Sequence, residues 1–124
     1  MNMVDSSGWL EYFANGKNAN FFAPTIVDSK NLIVPVICIF EIFKRIMQQK
    51  DEYHALGAVT AMQQGTVVPL DATLVIHAAK ISCDLKLPMT DSIIWAIAKA
   101  FAATVWTQDA DFKDLDGVRF IDRK

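Results

Sequence analysis

The chain carries short apolar runs that do not alternate with polar residues: NLIVP at 31–35, TVVPL at 66–70 and TVWT at 104–107. A strand with one wet face alternates, so runs of this kind suit strands covered on both faces. Strands covered on both faces pair in parallel and need crossover connections rather than hairpins. The intervening segments have helical length and composition. MNMVD at the start and VRFID at 118–122 supply two further strands. The order reads strand, helix pair, strand, helix pair, strand, helix pair, strand, short helix, strand. That order predicts an α/β fold: a three-layer α/β/α sandwich around a central, mostly parallel sheet of about five strands. A length of 124 residues fits one domain spanning 1–124.

The helical segments carry their own punctuation. SSGWLEYFANG is expected to be capped by Ser6 or Ser7, to bury Trp9, Leu10 and Phe13, and to stop near Gly16. NANFFAPTIVDSKN reads as a second short helix interrupted or started by Pro24. VICIFEIFKRIMQQK is apolar around most of its surface, and DEYHALGAVTAMQQG is a milder amphipathic helix closed by Gly65. DATLVIHAAKISCDLKLP starts at Asp71 and leaves at Pro88, and TDSIIWAIAKAFAA is opened by Thr90.

Hydrophobic residues make up 52% of the chain, yet no apolar run approaches the eighteen or so residues that span a bilayer. The excess points to a well-filled core and to a self-association or partner surface. MNMVDSSGWLEYF has no basic start and carries acids early, unlike a secretory signal. Cys38 and Cys83 lie in apolar segments with no metal spacing, which reads as buried free thiols of a cytoplasmic protein. A net charge of -2 advertises no basic field for nucleic acid, although carboxylates gathered around a cation would distort that figure.

In open parallel sheets, ligands bind beyond the carboxyl ends of the strands. Asp5 ends the first strand, and Asp109 follows TVWT, with Asp111 close behind. Asp91 opens the helix that feeds TVWT, and Glu41 lies within the helix after the second strand. Each position has an ordinary reading as well. Asp5 with Ser6 and Ser7 suits a helix cap, and Asp91 suits the positive end of a helix dipole. Asp109 and Asp111 suit a capped turn, and Asp114 and Asp116 belong to a solvated one. Glu41, among Cys38, Ile39, Phe40, Ile42 and Phe43, resists that treatment, because an unpartnered buried carboxylate costs several kcal/mol in order of magnitude. An ion pair with Lys44 or Arg45 would relieve it, and so would a metal. Carboxylates are hard ligands suited to Mg²⁺ or Mn²⁺, and the chain has no Cys/His set for zinc. His54 and His77 stand alone and read as structural or surface residues.

MVDSSGWLEYF, the acid in the helix after the second strand, LPMTDSIIWAIAKA and VWTQDADF occur in an order and spacing that resembles the PIN domain over essentially the whole chain. More narrowly, the pattern is similar to the VapC-type toxins of toxin–antitoxin pairs. The resemblance implies an endoribonuclease dependent on Mg²⁺ or Mn²⁺, with Asp5, Glu41, Asp91 and Asp109 as its acidic quartet. Asp5, Asp91 and Asp109 would hold the metal, with Asp111 the other candidate for the fourth acid. Thr107 matches the hydroxyl residue before that acid, where it would orient a carboxylate or a water. The resemblance also implies a structured RNA substrate such as tRNA or ribosomal RNA, a cognate antitoxin and a homodimer. Lys44, Arg45, Lys86, Lys99, Lys113 and Arg119 are candidates for a basic rim, with Lys44 and Arg45 foremost for RNA. The rival readings are a receiver-type phosphate-transfer module with Asp71 as acceptor, a catalytically silent PIN-like module, and DNA cleavage at the same site.

Overall fold

The computed structural model describes residues 1–124. The elements follow in the expected order. They are β1 (Asn2–Val4), α1 (Ser6–Phe13), α2 (Ala19–Val27), a 3-10 turn at Ser29–Asn31, β2 (Leu32–Pro35), α3 (Val36–Gln49) and α4 (Glu52–Met62). β3 (Thr66–Val68), α5 (Ala72–Leu85), α6 (Met89–Ala100), β4 (Thr104–Thr107), a 3-10 turn at Ala110–Phe112 and β5 (Val118–Phe120) complete the chain. The five strands form one sheet in the order β3-β2-β1-β4-β5, and every neighbouring pair is parallel. Asn2 stands beside Leu32 on one side and Thr104 on the other, so β1 is the centre of the sheet. The helices pack as α1 to α4 in one group and α5 with α6 in another. Right-handed crossovers, reversing direction after β3, lay the two groups on opposite faces. The α/β/α sandwich with a parallel five-stranded sheet is therefore the fold.

Of the unalternating runs, NLIVP is buried as read from Leu32 to Pro35, whereas TVWT buries only Val105 and Thr107. Leu32, Ile33, Val34 and Pro35 are all buried, as are Met3, Val4 and Val105 beside them. α6 is buried on most of its surface because its alanines and isoleucines lie between the sheet and α5. TVVPL departs from its reading, since β3 is an edge strand with Thr66 exposed and only Val68 buried. Gly65 stops no helix, because α4 ends at Met62. Its role is close approach instead: a Cβ there would lie 3.0 Å from the Leu32 carbonyl oxygen.

Several local expectations are corrected. α1 is capped by Asp5 and not by a serine, because the carboxylate accepts the Gly8 amide hydrogen bond at 3.0 Å. Trp9 is fully buried, whereas Leu10 and Phe13 are only partly so. α6 begins at Met89 behind Pro88, one residue before Thr90. Cys38 is buried, but Cys83 is exposed on α5, which buries only Ala78 and Ile81. Pro24 sits inside α2. Asp71 caps α5, accepting from the Leu74 amide at 2.9 Å, which gives it a structural role in place of a phosphoacceptor's.

Gly8 ties this frame to the site. A Cβ there would meet Val4 Cγ1 at 2.6 Å and Phe22 Cε1 at 2.7 Å, both in the core. Gly8→Ala is therefore expected to lower stability by about 1–3 kcal/mol. A shift of the urea midpoint to lower concentration at unchanged slope is the measurement that checks it.

Candidate metal site

The order β3-β2-β1-β4-β5 reverses its direction of travel between β1 and β4. That is the switch point where an open sheet leaves a crevice past its carboxyl ends. Asp5 follows β1 and Asp109 follows β4, so the two acids leave adjacent strands at that crevice. The Asp5 amide continues the ladder by donating to the Trp106 carbonyl at 3.2 Å.

Asp5 is 2% exposed and accepts hydrogen bonds from Thr107 Oγ1 at 2.7 Å, Ser7 Oγ at 2.8 Å and the Gly8 amide at 3.0 Å. Burial nevertheless wins, raising its pKa to about 6 despite these donors, with repulsion from Asp109 adding to the rise. Thr107 is fully buried; its hydroxyl donates to Asp5 and accepts the Asp109 amide hydrogen bond at 2.9 Å. One hydroxyl thus fixes the side chain of one acid and the backbone of another.

Asp91, Asp109 and Asp111 form the tightest group, each with a carboxylate oxygen within 4.8 Å of the others. Asp91 comes from the first turn of α6, where the dipole favours an acid. It is no cap, because Pro88 holds that position and Asp91 accepts no hydrogen bond from a backbone amide. Asp109 caps the 3-10 turn by accepting the Asp111 amide at 2.9 Å, and that turn brings Asp111 back toward Asp91. Burial, then the charge of Asp109 and a side-chain hydrogen bond with Asp111, push the Asp91 pKa to about 8. No lysine or arginine forms an ion pair with any acid here; the charge pairs of the chain are Asp51–His54 and Asp116–Lys99.

Glu41 stands outside the three-acid group. It is half-buried and not enclosed, because its neighbour Phe40 is 61% exposed. Neither Lys44 nor Arg45 pairs with it. Ser6 Oγ donates to Glu41 Oε1 in a short hydrogen bond, joining α1 to α3. Below it, Cys38 is fully buried, and burial pushes its thiol far above the ordinary range. The negative fields of Asp5, Glu41 and Asp91 add to that shift, so this thiol is not a nucleophile.

A cavity of about 600 Å³ opens beside Glu41, Ser6 and Ser7. Lys44 and Arg45 line it, together with Gln108 and Arg123. Of the other basic candidates, Lys99 is engaged with Asp116 and Trp95, Lys113 lies over Phe120 and Arg119 over Trp106, while Lys86 ends α5, away from the cavity lining. His54 and His77 are exposed. Ser6, Ser7, Gln108 and Arg123 escaped the sequence reading as site residues. The serines carried a signal, since Asp-Ser-Ser was read as a cap, but Arg123 carried none.

The acids supply only oxygen donors, several of them unpaired with any cation, which is the ligand chemistry of a hard divalent ion. Asp91, Asp109 and Asp111 fit such an ion better than they fit one another, and Asp5 lies outside that group. No helix is long and apolar enough to cross a membrane.

A search among curated protein sequences finds no match. Among solved structures, the fold superposes on a toxin–antitoxin complex from Klebsiella pneumoniae with a TM-score of 0.81 and 16% identity over 96% of both chains. It matches VapC20 of Mycobacterium tuberculosis, described as a sarcin–ricin loop cleaving toxin, with a TM-score of 0.76 and 16% identity, covering 95% of this chain and 97% of that one. DNA-bound VapBC from Salmonella typhimurium gives 0.73 and 17% over 98% of both chains. At such identities the likeness is one of fold. The PIN domain family model, however, matches residues 3–118, a span that contains every acid described above, and the chain belongs to the PIN domain family.

Proposed function

We propose that the protein is a divalent-cation-dependent endoribonuclease that serves as the toxin of a toxin–antitoxin pair. The observation that carries this reading is the Asp91, Asp109 and Asp111 group, unpaired with any basic residue and set against buried Asp5 at the switch point. Asp5, Asp91 and Asp109 are the residues assigned to the ion, with Asp111 completing the set; Mg²⁺ is the expected ion and Mn²⁺ its substitute. Bound there, the ion supplies positive charge for a phosphoryl oxygen and lowers the pKa of water.

The chain's own part is positional. Thr107 holds Asp5 in one orientation while setting the backbone of Asp109. Ser6 holds Glu41 at the edge of the cavity, and the role assigned to its carboxylate in this reading is to orient the attacking water and accept its proton. Lys44 and Arg45 face the same cavity and suit the phosphates of an RNA strand. Water attack with O3′ leaving gives a 5′-phosphate and a 3′-hydroxyl.

The toxin role is supported by the fold likeness to the Klebsiella complex and to VapBC, which also supports an antitoxin partner. Exposed Val75, Ile76 and Leu85 on α5 suit a homodimer face. A single functional unit over 1–124 and a tRNA or ribosomal RNA substrate complete the proposal.

The test is incubation of partner-free protein with total cellular RNA in Mg²⁺ or in EDTA, with the new ends mapped and their chemistry determined. Discrete cuts in Mg²⁺ alone, bearing 5′-phosphates, are the expected outcome. Cuts that persist in EDTA or end in cyclic phosphates would exclude this mechanism.

A further inference from the structure

The residues after β5 do not run into solvent but fold back on the site. The Ile121 amide donates to the Thr107 carbonyl at 3.0 Å, and Asn18 Nδ2 donates to the Asp122 carbonyl at 3.1 Å. Arg123 Nε donates to the Gln108 carbonyl at 3.2 Å. Asn18 also donates to Gln108 Oε1 at 3.0 Å, and both Asn18 and Gln108 are buried, so the anchor is internal. This hold uses only the Nε of Arg123, leaving the terminal nitrogens of the guanidinium without a protein partner. Arg123 lies beyond the 3–118 span that matches the family model.

Across that cavity stand Lys44 and Arg45 of α3. The cavity's own acids are already engaged: Glu11 accepts the Asn18 amide at 2.9 Å and Glu41 accepts from Ser6. Three cations from two separate parts of the chain thus face one cavity without carboxylate partners. Phe40, 61% exposed, lines it too, with Lys44 Nζ 5.9 Å from the ring centroid. A basic groove with an exposed aromatic ring is the physical pattern of single-stranded nucleic-acid binding, in which cations follow the backbone and a base stacks on the ring. An acidic peptide would use the cations but gain little from Phe40.

We infer that this cavity is a cradle for an unpaired RNA strand, with Arg123, Lys44 and Arg45 on its phosphates and Phe40 stacking one base. The inference rests on the nuclease reading for the identity of the strand, and it makes the substrate class an unpaired segment leading to the acids. Ser6 and Ser7 line both the cradle and the acid site, so a strand held here ends beside Glu41.

The test uses the full chain in EDTA, with a fluorescein-labelled 12-nucleotide single-stranded RNA of mixed sequence followed by anisotropy over a salt series. Arg123→Ala is expected to weaken binding about tenfold at low salt. It should also reduce the slope of log affinity against log salt by about 0.7, the mark of one lost phosphate contact. Arg123→Lys should restore the slope. Phe40→Ala should weaken binding while leaving the slope unchanged. Melting temperatures of these exposed-site variants should match the wild type. Unchanged affinity and slope in Arg123→Ala would overturn the inference. So would loss of binding to a hexaglutamate peptide with RNA binding intact, which would assign the cavity to a protein partner. Because no metal is present, failure here leaves the Mg²⁺ cleavage assay free to succeed, and binding without later cleavage would sink the nuclease reading alone.

Discussion

Asp91→Asn is expected to abolish RNA cleavage while raising the melting temperature of the metal-free protein. The loss should be about a hundredfold or more, because removing even an outer partner of a metal ligand costs 10–100-fold and Asp91 is assigned to the ion itself. The gain in stability comes from the same carboxylate. Asp91 is pressed by burial, by Asp109 and by Asp111, and its pKa of about 8 records that strain. The unfolded chain ionises Asp91 near its ordinary value of 3.8 and so gains free energy at neutral pH that the folded chain cannot match. An asparagine has no such proton to release. The variant should therefore melt several degrees above the wild type at about pH 7–8, with the difference closing toward about pH 4. Differential scanning fluorimetry in EDTA, beside the cleavage assay in Mg²⁺, reads both halves. A variant that melts lower at neutral pH would refute the crowding argument. One that still cuts would remove Asp91 from the mechanism.

The second large effect concerns pH and metal together. Two carboxyls have folded-state pKa values above their unfolded ones: Asp5 at about 6 and Asp91 at about 8, each against 3.8. Groups shifted in that direction contribute stability that is fully present below about pH 4 and is lost as pH rises through the folded values. For buried Asp5 the loss is on the order of 3 kcal/mol. The metal-free protein should accordingly melt progressively lower as pH is raised from about 4.5 to about 8. Millimolar Mg²⁺ or Mn²⁺ should offset part of that decline, because the ion binds the ionised carboxylates of the folded chain only. Saturation a hundredfold above Kd returns about 2.7 kcal/mol. The metal-induced rise should therefore be large at pH 8 and small at pH 5. A metal effect equal at both pH values would mean that the ion binds elsewhere.

The parts of this fold that the sequence declared are those written in contiguous residues. Leu32–Pro35 announced a buried parallel strand by lacking alternation; Thr104–Thr107 is a parallel strand too, but buries only Val105 and Thr107, and both lie beside the central strand. Once a parallel sheet was inferred, Asp5 and Asp109 followed, since acids at strand ends face the crevice by topology. Asp91 was legible as the acid of a helix start. Choosing between Asp109 and Asp111 was not possible, because their meeting with Asp91 depends on the turn at Ala110–Phe112, which brings both to it. Glu41 was flagged for the wrong reason. The apolar residues around it in sequence suggested enclosure, but they spread around the helix, and α3 buries only Cys38, Ile42 and Ile46. What holds Glu41 is Ser6, 35 residues away, and pairings at that separation leave no local trace. Arg123 is the extreme case. Its place at the cavity depends on the backbone carbonyl of Gln108 and on Asn18, neither of which has a pattern to read. Cys83 was misjudged because α5 looks like a core helix, yet it packs chiefly on α6 and leaves its other side exposed.

The charges that this account leaves unpaired are its central claim: Asp91, Asp109 and Asp111 are held together for a divalent ion. The most direct measurement is an anomalous difference map from crystals grown in Mn²⁺ at about pH 8, where the carboxylates can ionise. A single strong peak, or a pair, within about 2.0–2.4 Å of carboxylate oxygens from Asp91 and Asp109 is the predicted result. A well-ordered site with the same acids in place and no peak above background would contradict the account, leaving a PIN domain whose carboxylates serve some other end.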